Sequence, residues 1–223
     1  MSVLLESLQV SVGSKALFPP VNIQVQPGEL LVVMGASGCG KSTLLSAIAG
    51  SLPRELTVKG TITLAGQRVE HLAMHQRGIG IQFQEDLLFP HLDVAGNLLF
   101  ALSAERGTNG ESANNKKQKL ETIGKALQSA GLAGYEKRDI ATLSGGQKAR
   151  VSLLRSLLAK PTLLLLDEPF SRLDDDLRAA FRPFVFEQIK QMQIPAILVS
   201  HDRQDCPNDS FYALEQGQML KNK

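Results

Sequence analysis

At 223 residues, 43% of them hydrophobic, the chain has the length for one large domain, or a domain with an embedded subdomain, and the apolar content for a sizeable core without staples. The formal net charge is +2 and the basic residues are scattered, Lys116, Lys117 and Lys119 being the densest group, so no nucleic-acid footprint is called for. Two cysteines, Cys39 and Cys206, point to a reducing, cytosolic compartment; no leader pattern opens the chain and no apolar run approaches the roughly 20 residues that span a bilayer, so any membrane role is expected to be peripheral.

Residues 1 to 34 read as strands. Leu8, Val10 and Val12 alternate with polar residues, as do Val21, Ile23 and Val25, and Pro27-Gly28 makes a turn before the apolar run Leu30 to Met34, which suits a strand buried on both faces. Helical character from Thr43 to Ala49 stops at Gly50, and Thr57 to Leu64 reads as further strand. Between Glu85 and Lys160 the pattern turns helical, with apolar residues at three-and-four spacing over Leu99 to Ala104, Leu120 to Ala130 and Gln147 to Ala159. Arg106 to Lys119, rich in Gly, Ser, Asn and Lys, reads as a mobile loop or frayed helix start. The strand signal returns at Thr162, an amphipathic stretch follows that is expected to kink or break near Pro183, Pro195 to Ser200 is another apolar strand, and Phe211 to Leu220 folds back around Gln216-Gly217. The expectation is one domain over 1–223, with an α/β core over 1–84 and 161–223 and a helical subdomain inserted over 85–160.

Gly35-Ala36-Ser37-Gly38-Cys39-Gly40-Lys41-Ser42-Thr43 joins the buried strand to the helix and has the pattern of a phosphate-cradling loop. Glycines let backbone N–H groups turn inward on phosphates, the helix start presents its positive dipole end, Lys41 adds a full charge, and Ser42 brings a hydroxyl to where Mg²⁺ would sit. Leu163 to Leu166 run into Asp167-Glu168, acidic residues at the carboxyl end of a buried strand, where open parallel sheets bind ligands. Neighbours on a strand point to opposite sides, so Asp167 is assigned to the Mg²⁺ shell and Glu168 to polarising a water beside the γ-phosphate. Leu143-Ser144-Gly145-Gly146-Gln147 begins a later helix. Ser144 and Gln147 fit a capping box, but two glycines in the first turn weaken the helix start while exposing bare N–H groups, which suits a second nucleotide contact.

These three motifs in this order, the Walker A loop, the LSGGQ signature and the Walker B strand, resemble the nucleotide-binding subunit of an ATP-binding cassette (ABC) transporter over essentially the whole chain. The resemblance implies a P-loop NTPase (RecA-like) core with an N-terminal antiparallel β region and an inserted helical subdomain. It also implies that Gln84, in Phe83-Gln84, touches Mg²⁺ or the attacking water and senses a membrane partner, and that His201, in Val199-Ser200-His201-Asp202, contacts the γ-phosphate. Leu88 to Val94, with Asn97 beyond, is similar to the importer branch, especially ATPases serving thiamine, iron(III), polyamine or sulfate permeases. Only 22 residues follow His201, a short form that resembles thiamine-type and thiamine-like bacterial subunits.

The family's early aromatic residue, which stacks on adenine, has no counterpart near Val12 or Gly13; Phe18 is the nearest ring, so guanine nucleotides are expected to compete better than usual. Ser171-Arg172-Leu173-Asp174 stands at the expected dimer seam with a long cation where the family commonly has alanine, either paired across the seam or lying in solvent. Cys206-Pro207-Asn208-Asp209 replaces a longer helix. The mechanism implied is a head-to-tail homodimer in which each ATP lies between the loop of one copy and Leu143 to Gln147 of the other, with Lys41, Gln84, Glu168 and His201 catalytic and Ser42, Gln84 and Asp167 around Mg²⁺. Permease subunits, a substrate-binding protein acting through them, and the inner face of a bacterial membrane complete that expectation; export, lipoprotein release and nucleic-acid work are the alternatives.

Overall fold

A computed structural model describes residues 2–103, 113–207, 211–215 and 218–222. The chain forms two compact units, one of Met1–Ile81, Thr162–Glu168 and Phe186–Lys223, the other of Gln82–Pro161 and Pro169–Val185.

In the first unit, β1 (Val3–Val12), β2 (Lys15–Ala16), β3 (Val21–Val25), β5 (Leu56–Leu64) and β6 (Gln67–Arg68) form an antiparallel sheet in the order β2-β1-β5-β6, with β3 also on β1. Its alternation is that of a half-buried sheet: Val3, Leu5, Leu8 and Val10 of β1 and Val21, Ile23 and Val25 of β3 enter the core. A second sheet takes β4 (Leu30–Met34), β7 (Ile79–Gln82), β8 (Leu163–Asp167), β9 (Ala196–Ser200), β10 (Phe211–Glu215) and β11 (Gln218–Asn222) in the order β11-β10-β4-β9-β8-β7. Strands β10, β4, β9 and β8 are mutually parallel, and β10 pairs antiparallel with β11. Leu163 to Leu166 and Ala196 to Val199 are fully buried, as expected of strands covered on both faces, each leucine contributing about 1.5–3 kcal/mol. The register brings Met34 opposite Ser200 and Asp167 opposite Val199, so β4, β8 and β9 end level at their carboxyl ends. Helix α1 (Lys41–Ala49) leaves the loop after β4 and sinks Leu44, Leu45, Ala47 and Ile48 into the same core.

The second unit is built on α2 (Val94–Ser103), α3 (Ala113–Ser129) and α4 (Gly145–Leu158), which share Val94, Leu98, Ile123, Leu127, Val151 and Leu154. Helix α2 starts earlier than its apolar pattern suggests. Asp93 caps it, accepting from Gly96 N at 2.7 Å, and Asn97 interrupts the pattern while fully buried, its amide satisfied by the carbonyls of Phe89 and Asp93 at 3.1 and 3.0 Å. Helix α5 (Asp175–Met192) runs through Pro183 without the expected break; Phe181 beside it meets Phe170 edge-on and stacks with Phe184. Of the expected mobile loop, Ala113 to Lys119 is helical and 106–112 lie outside the described residues, as do 208–209 and Gln216-Gly217.

Candidate nucleotide-binding site

The loop after β4 is shaped to leave its interior to a ligand. A side chain at Gly35 would come within 2.5 Å of the Leu214 carbonyl oxygen and 2.7 Å of Cys39 Sγ. Gly40 caps α1 at φ 104°, a left-handed geometry that costs other residues about 1–2 kcal/mol. Lys41 is 5% exposed, and its Nζ donates to the carbonyls of Gly35 and Ala36 at 2.7 and 3.1 Å. Buried ammonium and helix N-terminus together make an anion site. At the other end of α1 the buried Arg77 donates to the carbonyls of Ala47 and Ile48 at 3.0 and 2.7 Å, anchoring the helix that carries Lys41.

The carboxyl ends of β8 and β9 supply the rest. Ser42 Oγ donates to Asp167 Oδ1 at 3.1 Å. Burial pushes the Asp167 carboxyl above its ordinary value; the Ser42 hydrogen bond opposes this, the neighbouring Glu168 adds to it and Lys41 opposes it. Two hard oxygen donors, one a carboxylate whose charge is disfavoured by its surroundings, fit Mg²⁺, which typically takes one or two protein ligands and completes its shell with phosphate and water. Glu168 does not follow the strand alternation expected of it. It leaves β8 at φ +46°, a conformation costing a non-glycine residue about 1–3 kcal/mol, held by its N–H donating to Val199 O at 3.1 Å. Its carboxylate lies between two cationic or donor groups: Oε1 is 4.0 Å from Lys41 Nζ and Oε2 is 3.4 Å from His201 Nδ1. Lys41, Ser42, Asp167, Glu168 and His201 are thus together in one compact unit.

In the second unit, Ser144 caps α4 and the capping box is present: Ser144 Oγ accepts from Gln147 N at 3.4 Å and Gln147 Oε1 accepts from Ser144 N at 3.0 Å. Gln147 Nε2 also reaches Tyr135 Oη at 3.4 Å, a partner no sequence signal marked. The two glycines differ. A methyl group at Gly146 would sit 3.1 Å from Leu177 Cδ2, whereas one at Gly145 would meet nothing within 4 Å. Leu143 is buried in the helical core.

Gln84 is exposed in the bend after β7, and its segment is tied to α4: Arg155 donates to the carbonyls of Leu87 and Asp86 at 2.8 and 3.1 Å, and Ser152 Oγ lies 2.8 Å from Asp86 O. Arg172 is 58% exposed and pairs within the chain with Glu85 at 2.8 Å. Asp174 caps α5, accepting from Leu177 N at 2.9 Å, Leu173 is buried, and Ser171 is half-buried. The Phe18 ring is 2% exposed, packed under Gly40, and has no face to offer a base, while Val12 is 48% exposed.

A model of the ABC transporter family matches residues 18–171. An uncharacterized ABC transporter ATP-binding protein of Escherichia coli (strain K12), YnjD, is 44% identical over 97% of this chain and 96% of its own length. The sulfate/thiosulfate import ATP-binding protein CysA of Gloeobacter violaceus is 36% identical over 98% of this chain and 61% of its own. The Fe(3+) ions import ATP-binding protein FbpC of Streptomyces avermitilis is 35% identical over 91% of this chain and 56% of its own. The chain therefore spans nearly all of the first relative and under two thirds of the two import proteins.

Proposed function

Because the chain belongs to the ABC transporter family of ATP-binding proteins, we propose that it binds and hydrolyses ATP, with Mg²⁺, as the energising subunit of an importer. The observation that carries this is the Glu168 carboxylate, 4.0 Å from the phosphate-loop lysine and 3.4 Å from His201. The loop N–H groups and Lys41 hold the triphosphate; Ser42 and Asp167 would hold the cation, which neutralises charge on the phosphates. Glu168 orients a water and takes its proton as the water oxygen bonds to the γ-phosphorus. The bond from that phosphorus to the bridging oxygen breaks, and ADP and phosphate leave. His201 and Lys41 stabilise the charge that develops on the γ-phosphoryl oxygens.

Two copies close on ATP, the Ser144–Gln147 turn of one facing the loop of the other, and open again after hydrolysis. The open space at Gly145, in the first turn of α4, supports this. Gln84 lies on a segment flanked by exposed Phe83 and Leu87, with Phe100 59% exposed, an apolar surface that suits a membrane-permease partner. No helix among the described residues is long and apolar enough to cross a membrane, and the chain is assigned to the inner face of the bacterial cell membrane, bound to its permease, with a substrate-binding protein delivering the solute. Relatives named for an oxyanion and for a metal cation are almost equally similar, at 36% and 35%, so the solute is chosen elsewhere in the assembly.

The purified protein should hydrolyse ATP and Lys41→Ala should lose about 10²-fold or more in kcat. Full activity in Lys41→Ala removes the site. Cells carrying that variant should lose uptake, not efflux, of one solute among sulfate, iron(III), thiamine and polyamines.

A further inference from the structure

His201 is 57% exposed on its side chain, so packing does little to orient the imidazole that lies 3.4 Å from Glu168. Its direction must be inherited from the backbone on either side, and that backbone is held by a buried polar pair. Ser200, the last residue of β9, is 2% exposed, and Asp205, five residues on, is 4% exposed. The Ser200 hydroxyl donates to Asp205 Oδ2 and accepts from Asp202 N at 3.0 Å, so its single proton and a lone pair are both used. Asp205 N donates to Asp202 O at 3.1 Å, and the Asp202 carboxylate accepts from Gln204 N at 2.9 Å. These bonds close the short turn Arg203–Asp205 on itself and back onto β9. His201 lies between Ser200 and Asp202, the hydroxyl of the one accepting from the N–H of the other, so the bond closes around it. A buried carboxylate is costly unless fully hydrogen-bonded, which makes this an expensive way to end a strand unless the geometry matters.

We propose that Ser200 and Asp205 are positioning residues for hydrolysis, acting through His201 to hold its imidazole against Glu168. This rests on the role given to His201 above. Ser200→Ala deletes one oxygen. It should lower kcat for ATP by about 10-fold while the affinity for a fluorescent ATP analogue stays within about 2-fold, and Ser200→Thr, which keeps the hydroxyl, should restore most of the rate. A purely structural role would not pass the next comparison. In His201→Ala, adding Ser200→Ala should cost nothing more, because the positioned group is already gone. Asp205→Ala, measured alone and with His201→Ala, carries the same test should Ser200→Ala fail to fold by circular dichroism. A further 10-fold loss in the double variant, or full activity in Ser200→Ala beside an inactive His201→Ala, overturns the inference. Wild-type hydrolysis by His201→Ala overturns the role of His201 itself and the inference with it.

Discussion

Asp167 shows most directly how surroundings set a residue's chemistry. Burial, with Glu168 adding to it, raises its carboxyl above the ordinary value of 3.8 against the pull of Ser42 and Lys41. A carboxyl whose folded value is raised holds its proton more tightly in the folded state, so the protein loses stability as pH rises from about 3.8 through the raised value and carries the penalty above it. Asp167→Asn removes that penalty and can still accept from Ser42. Without nucleotide or metal it should melt higher than wild type at pH 7, by about 2–4 °C for each kcal/mol released, with the advantage shrinking as pH falls toward 4; its ATPase should fall by about 10²-fold. Equal melting temperatures across the range would show that the carboxylate is not penalised. The place of Asp167 and Glu168 at the carboxyl end of β8 was legible from the four leucines before them. The left-handed turn at Glu168 was not, because nothing in a glutamate announces φ +46°; it is imposed by the tie to Val199.

At the scale of elements, whatever depends on unbroken apolar runs or glycine punctuation was legible: β4, β8, β9 and α1 fall within two residues of their expected bounds. Elements that break their own pattern with a satisfied polar residue were not. Buried Asn97 hid the start of α2, and Ala113 to Lys119 form the first turns of α3 with few apolar residues to reveal them. Pro183 does not break α5, which continues through it with Phe181 and Phe184 stacked on either side in sequence. The cap at the start of α4 was legible, and its two glycines separate that role from the proposed nucleotide contact. A methyl group at Gly145 meets nothing within 4 Å among the described residues outside its own helix backbone and suits a helix better by up to about 1 kcal/mol, so in Gly145→Ala the fold should hold or gain. If phosphate docks there, kcat/KM for ATP should still fall by about 10-fold or more. Gly146→Ala must shift the Leu177 side chain, 3.1 Å away, by a few tenths of an ångström and should melt below Gly145→Ala. Undiminished turnover in Gly145→Ala would return α4 to a plain capped helix.

For the molecule as a whole, the two glycine-bearing helix starts lie in different compact units, uncapped α1 in one and capped α4 in the other. If a triphosphate is shared between copies, as proposed, binding and association are one event and removing the γ-phosphate should dissolve the pair. Separating the two events requires blocking hydrolysis without blocking binding, and Glu168 is suited to this because it stands 4.0 Å from Lys41 without being one of the groups that grip phosphate. Glu168→Gln keeps the shape and removes only the base. With saturating Mg·ATP it should elute from size exclusion at twice the monomer mass, while wild type returns to its starting position as ATP is consumed. Adding Gly145→Ala should dissolve the trapped pair by crowding the far contact alone, leaving affinity for ATP on the loop within a few-fold. A Glu168→Gln protein that stays monomeric, or a pair that survives Gly145→Ala, would mean that association does not run through the nucleotide, and the motor would need another source of closure.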